Sequence, residues 1–393
     1  MKILMVISQF YPIIGGAEKQ AQVLAKKLIE KGVDVSIVTG WWNFGTPRKE
    51  IIGGIRVFRN FCCWGMWGIN GIRTLGRLAY TVSLGIYLLT QRQEYDIIHV
   101  HQVLYPAFIS TFIGKGILKK PVLAKMGCSG LTSDIKYLKR FPLGSLQLRY
   151  LVKKMNYLVT VNHEGIEEFR ALGYPLGRIQ YIPNGVALPL YGKTQYDQVF
   201  FVITTVRLDK QKGLDILLKA WARVVTHENN LKLLILGLGP LESELKNMSQ
   251  SLGIGDSVKF IGEVIQIEDY LKKSDIFVLA SRAEGMSNAL LEAMSYGLTC
   301  IATNISGNAE LMGMGKNDSK ILKGDFIAAP NGLLIQPEDI EGLTKAILFL
   351  VKNQKERESL GRNGRRYIQE NFSIGLIAEK YIALYQRIVN RKS

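Results

Sequence analysis

Short apolar runs rich in β-branched residues alternate with amphipathic helical stretches along almost the whole chain. Residues 3–7 read as a buried strand, followed by a Gly-Gly turn. Residues 17 to about 31 then repeat at helical spacing, with Ala21, Leu24, Ala25, Leu28 and Ile29 on one face. Gly32 stands where a C′ residue would end that helix. Residues 33–39 are the next predicted strand, and 97–100, 122–124, 158–161 and 179–182 are later ones. Helical segments lie between most of them. This strand–helix–strand repeat predicts an α/β fold with a parallel, doubly wound sheet.

The turn-rich stretch from Pro183 to Pro189 interrupts the series, and a domain boundary is expected within 188–198. A second series follows. Strands are predicted over 200–206, 231–236, 258–261, 276–280 and 298–303. Helices are predicted over 214–226, 241–252 and 287–296, the last stopped by Gly297. Three more helical segments, 338–353, 356–370 and one running to about 390, close the chain. The expected organisation is a first domain over 1–190, a second over 191–372, and a final helix in 373–393 packing back on the first domain. A chain of 393 residues is long enough for two cores. Doubly wound sheets bind ligands at the C-terminal edges of their strands.

Charge changes this picture more than composition does. Apolar residues make up 47% and charged residues 21%, an ordinary folded balance. The net charge is +17, and its distribution is lopsided. Through Leu190 there are 24 Lys/Arg against 10 Asp/Glu, and beyond it 26 against 23. A basic first half suits an anionic partner: a phosphorylated substrate or an acidic membrane surface. No nucleic-acid module is present, so nucleic acid is not expected. The four cysteines, Cys62, Cys63, Cys128 and Cys300, have neither zinc nor disulfide spacing and fit a reducing, cytoplasmic compartment. The apolar run at 3–7 is too short for a signal peptide, and no segment reaches a membrane-spanning length. Membrane contact is therefore expected to be peripheral, on the cytoplasmic face.

The sharpest motif runs from Glu284 to Glu292 across a predicted strand-to-helix junction. Backbone amides of Met286, Ser287 and Asn288 at a helix start form an anion site suited to a diphosphate. Glu292, inside the helix, can bridge two vicinal hydroxyls, as on a ribose. An exposed Glu pair with a Ser N-cap would give the same spacing. In Thr205–Gly213, Arg207 and Lys212 project from a strand end, one forked and one a point charge for phosphate. A basic surface loop is the plainer explanation. Gly15-Gly16 lets backbone approach a phosphate or sugar closely, though a tight turn would need the same residues. Gly237-Leu-Gly239 lacks the third glycine of a dinucleotide fingerprint, because Glu242 stands there; nicotinamide binding is not expected.

Taken together and in this order, these features resemble the family 4 glycosyltransferases, retaining enzymes of the GT-B fold. The resemblance includes 96–101 with His99 and His101, Ile182-Pro-Asn184-Gly-Val186, Arg207 with Lys212-Gly213, Gly237-x-Gly239-Pro240, Val258–Gly262, Glu284 to Glu292 and Gly307 to Glu310. It implies two Rossmann-like domains facing each other across a cleft. It implies a metal-independent, retaining hexosyl transfer from a nucleotide-diphosphate sugar, with no cofactor. Arg207, Lys212 and Glu284 would be catalytic. Gly15, Gly16, Asn184, Gly237, Gly262, Glu263, Gly285, Met286, Ser287, Asn288 and Glu292 would bind donor. The family's histidine after the strand at 122–124 is absent, and Gly127 stands near its place. Lys125, Ser129 and Asp134 are the nearby substitutes on the acceptor side, with His101 a further candidate; His163 is expected to be structural.

The acceptor implied is a saccharide or lipid-linked saccharide of cell-surface polysaccharide or glycolipid biosynthesis. Residues 61–72 are aromatic and glycine-rich, and 75–87 continue as an apolar helix beside Arg73 and Arg77. This stretch is either an interfacial patch or an ordinary loop and core helix. Two rival readings stay open: a nucleotide-sugar epimerase, and a catalytically silent partner subunit.

Overall fold

The structure, a computed structural model, describes residues 1–390 apart from 14, 63–69, 131, 132, 142, 194–200, 265 and 315–321. Much of the aromatic stretch at 61–72 thus lies outside the described residues. The chain divides into two compact units. Unit 1 combines Met1–Gly185 with the helix Ile374–Asn390, and unit 2 is Val186–Ser373.

Unit 1 holds an eight-stranded sheet. Its strands are β1 (Lys2–Val6), β2 (Asp34–Gly40), β3 (Lys49–Ile52), β4 (Ile55–Asn60), β5 (Ile97–His101), β6 (Val122–Lys125), β7 (Tyr157–Thr160) and β8 (Ile179–Tyr181). Their order is β3-β4-β2-β1-β5-β6-β7-β8. All neighbours are parallel except β3 and β4. Period-two alternation sorts side chains into two cores. Ile3 and Met5 face one core with the helices Gly16–Glu30 and Ile374–Asn390. Leu4 and Val6 face the other, with Tyr80, Leu84 and Leu88 of the helix Asn70–Thr90. The last helix completes the first core: Ile377, Tyr381 and Tyr385 are fully buried there.

Unit 2 holds a seven-stranded sheet. Its strands are β9 (Phe201–Thr205), β10 (Lys232–Leu236), β11 (Val258–Gly262), β12 (Ile276–Leu279), β13 (Thr299–Thr303), β14 (Phe326–Ala329) and β15 (Gly332–Ile335), in the order β11-β10-β9-β12-β13-β15-β14. Only β14 and β15 are antiparallel. Trp221 of the helix Leu214–Val224 is fully buried, and its indole N–H donates to Ser257 Oγ at 3.0 Å.

Each sheet therefore ends in an antiparallel pair that the expected all-parallel pattern lacks. These hairpins need no crossover helix, so they add no strand–helix alternation to the sequence. Their strands are four to six residues long and give little periodic signal.

Ile377 lies near the end of the chain yet seals a core begun by β1. Ile377→Ala is expected to cost about 2–5 kcal/mol, read by chemical denaturation with a probe in unit 1. A cost near zero would show that the last helix does not complete that core.

Candidate active site

Both sheets start at a middle strand. The chain winds outward from β9 to β10 and β11, then returns to β12 on the other side. The loops after β9 and β12 therefore part in opposite directions and leave space at the C-terminal edge. That is where the predicted residues of unit 2 gather.

After β9, Arg207 is held by its own loop: Nε lies 3.0 Å from Asp209 Oδ2, with the side chain 70% exposed. Asp209 also caps the turn Lys210–Lys212, accepting from the Gln211 amide at 3.0 Å. Lys212 Nζ lies 2.7 Å from Glu284 Oε1, an ion pair joining the loops after β9 and β12. Ser281 Oγ donates to the same oxygen at 2.8 Å. Glu284 is only 9% exposed, and its Oε2 has no hydrogen-bond partner among the described residues. The pair thus presents one ammonium and one carboxylate oxygen in fixed positions.

The two loops are locked by a residue that the sequence reading passed over. Arg282 forms two bonds of 2.8 Å to Asp215, another to the Lys210 carbonyl at 2.6 Å, and a pair with Glu338. These carboxylates hold the guanidinium pKa above its ordinary value, and Arg282 holds that of Asp215 below its own. An Arg two residues before Glu284 was the only available signal, and its partners are far away in sequence.

Glycines set the backbone approach. Gly213 has φ +64°, and a Cβ there would run into the Ala280 carbonyl. Gly237, at φ +127°, would meet the Val206 carbonyl, and its N–H donates to the Gly262 carbonyl at 2.8 Å. Glu263 follows Gly262 directly at the end of β11. Gly285 and Met286 lead into the helix Asn288–Ser295, whose N-cap is Ser287; its Oγ accepts from the Leu290 amide at 3.3 Å. Glu292 lies in that helix, one turn beyond Asn288.

In unit 1 the outward winding starts at β1, with β5 on the return side. Gly15, at the far end of the loop that follows β1, is the N-cap residue of the helix Gly16–Glu30. His99 and His101 stack at 4.5 Å, and His99 Nδ1 lies 2.7 Å from the Tyr385 hydroxyl. Both are buried, which lowers their pKa values, His101 to about 3. His99 is a core residue. His101 Nε2 is buried and has no hydrogen-bond partner among the described residues. Neighbouring Lys125, at the end of β6, is 6% exposed, and its Nζ donates to Asn184 Oδ1 at 2.8 Å. His163 stacks on Tyr181 at 4.7 Å.

Asp134 differs in kind from Lys125. Both its oxygens are taken by the amides of Val103, Gly127 and Cys128 at 2.9–3.2 Å, so it shapes the loop. Burial nonetheless raises its pKa to about 6. Ser129 is likewise engaged, donating to Glu164 at 3.1 Å and accepting from Asn162 at 2.7 Å. At Gly127 a Cβ would make only ordinary contacts, so packing does not explain the missing side chain.

This architecture is that of the GT-B glycosyltransferases. It is similar to sucrose-phosphate synthase from Thermosynechococcus elongatus, with TM-score 0.79 and 19% identity over 99% of each chain. It is also similar to HepE of Anabaena in complex with UDP-glucose, with TM-score 0.75 and 18% identity over 98% of this chain and 100% of that one. The family model described as Glycosyltransferase Family 4 matches residues 14–188, and that of Glycosyl transferases group 1 matches 193–367. The chain belongs to the family 4 type of glycosyltransferases. Among its relatives, N-acetyl-alpha-D-glucosaminyl L-malate synthase of Bacillus anthracis is 25% identical over 96% of both chains. The Escherichia coli UDP-Gal:alpha-D-GlcNAc-diphosphoundecaprenol alpha-1,3-galactosyltransferase is 28% identical over 79% of this chain and 80% of its own.

Burial lowers the Lys125 pKa from its ordinary value to about 7. The unfolded chain therefore binds one more proton than the folded one between about pH 7 and 10.4, and stability rises with pH across that window. Lys125→Met is expected to stabilise unit 1 by roughly 2 kcal/mol at pH 7 and to remove that rise. Denaturation curves at pH 7 and 10 check both; a destabilised variant would mean that the ammonium is compensated.

Proposed function

We propose that this glycosyltransferase moves a hexose from a nucleoside-diphosphate donor to a saccharide or lipid-linked saccharide, with retention and without a metal ion. The Lys212–Glu284 pair beside Arg207 carries this reading. Retention requires the bond from C1 to the β-phosphate oxygen to break and the acceptor oxygen to bond C1 from the same face. Negative charge then collects on the leaving diphosphate. Lys212 and Arg207 stabilise that charge where it develops, and the amides around Ser287 and Asn288 add the field of a helix N-terminus. These two cations supply the neutralisation a divalent ion would otherwise give. The leaving phosphate oxygen takes the acceptor hydroxyl proton, so no separate base is required.

The remaining roles follow from position. Glu284 turns its unpartnered Oε2 to the transferred sugar, while Lys212 occupies Oε1. Glu292 binds the ribose hydroxyls. Gly237, Gly262 and Glu263 border the base, Gly285 and Met286 the diphosphate. A UDP-linked donor is supported by the UDP-glucose complex of HepE, and a lipid-linked acceptor by the name of the Escherichia coli relative.

Contact with the cytoplasmic face of a membrane is part of the same proposal. Among the described residues no helix is long and apolar enough to cross one. The helix Asn70–Thr90, however, exposes Leu75, Leu78, Val82 and Ile86, each 55–60%, at spacings of three and four. No acidic residue occurs between Ile51 and Gln93, so an anionic surface would meet no repulsion there.

Slow hydrolysis of a UDP-sugar should appear without acceptor and persist in EDTA. Lys212→Ala and Glu284→Ala should each lower it by about 100-fold or more. If no nucleoside-diphosphate sugar binds, the assignment fails. The chain should float with phosphatidylglycerol vesicles, and Leu78→Glu with Val82→Glu should abolish flotation; a wild type that stays at the bottom sinks the membrane reading.

A further inference from the structure

Several buried or half-buried charges in this fold are answered by an opposite one. Lys193 pairs with Asp275, Lys212 with Glu284, and Arg59 with Glu50. Lys125, the one fully buried lysine among the described residues, is not so answered. Its ammonium carries three N–H donors, and one is used, by Asn184 Oδ1. No carboxylate pairs with it among the described residues, and burial lowers its pKa. Its charged neighbours are unhelpful: Lys125 itself depresses the pKa values of His99 and His101. Asp134, in the loop that follows Lys125, is occupied by three backbone amides.

Burying an unanswered ammonium is costly, and folding alone does not reward it. Its place is also specific. Lys125 ends β6 beside His101 in register, at the C-terminal edge where α/β sheets bind ligands. His101 adds a buried ring nitrogen with no hydrogen-bond partner among the described residues. Two spare N–H donors on one ammonium, with an imidazole alongside, match the oxygens of a carboxylate or a phosphate.

We propose that Lys125, positioned by Asn184 and flanked by His101, is an oxyanion subsite of unit 1, so that the acceptor carries a carboxylate or phosphate group. This rests on the glycosyltransferase reading and narrows its acceptor to an anionic class. Asn184 then acts as a positioning residue for Lys125.

The experiment uses the full chain with UDP saturating the donor site, at pH 6, where the ammonium is charged. Inorganic phosphate and succinate are titrated separately by calorimetry, which tells the two oxyanions apart. One of them should bind, and Lys125→Met and Lys125→Gln should each weaken it at least ten-fold, with UDP affinity unchanged. Thermal denaturation confirms that both variants are folded. Three outcomes overturn the proposal: no binding of either anion to the wild type, equal binding to the variants, or loss of UDP affinity in the variants, which would give Lys125 to the donor. If UDP binds and the anions do not, the glycosyltransferase reading stands and only the subsite is lost.

Discussion

Each sheet of this protein begins in its own interior. β1 and β9 are flanked on both sides, so the chain must first build outward in one direction and then cross back. Right-handed crossovers then bring the loops after neighbouring strands out in opposite directions. The resulting gap at the C-terminal edge is a consequence of topology and exists before any side chain is considered. In unit 2 it lies between β9 and β12, and Lys212 and Glu284 come from those two loops. In unit 1 it lies between β1 and β5, which carry the Gly15-Gly16 turn and His101.

A gap alone would leave loops free to move. In unit 2 they are fixed by backbone contact and by one guanidinium. Gly213 packs where a Cβ would strike the Ala280 carbonyl, which draws the loop after β9 against the end of β12. Arg282 then ties Lys210, Asp215 and Glu338 together. The Lys212–Glu284 geometry is thus held by groups outside the pair itself. Preorganisation of this kind lets cations stabilise developing charge without reorganising as the charge appears.

The two units treat charge differently. Unit 2 has nearly balanced numbers of cations and anions, and its half-buried Lys193 is paired with Asp275. Unit 1 carries nearly all of the excess positive charge, and its most buried lysine is left without a counter-ion. An interior charge that folding does not compensate is a stability cost, and a ligand that supplies the missing charge recovers it.

The parallel core strands were legible because burial on both faces demands apolar runs such as 3–7 and 276–280, with amphipathic helices between them. The helix stop at Gly297 was legible too: its φ of +81° is one that glycine adopts without strain. Arg207, Lys212, Glu284 and Glu292 stood out because their spacing spans strand-to-helix junctions. The edge hairpins β3–β4 and β14–β15 left almost no trace, since short strands paired antiparallel need neither long apolar runs nor crossover helices. Arg282 was invisible because its partners lie 56–72 residues away. The candidates around Gly127 looked alike as letters, and only packing separated them: Asp134 is consumed by backbone amides, whereas Lys125 keeps two unused donors. Sequence by itself determined the parallel core strands and the helices between them, because periodicity and turn chemistry are local. Which polar groups are answered and which are left open was decided by tertiary structure, because hydrogen bonding and desolvation depend on neighbours that the chain brings together only when folded.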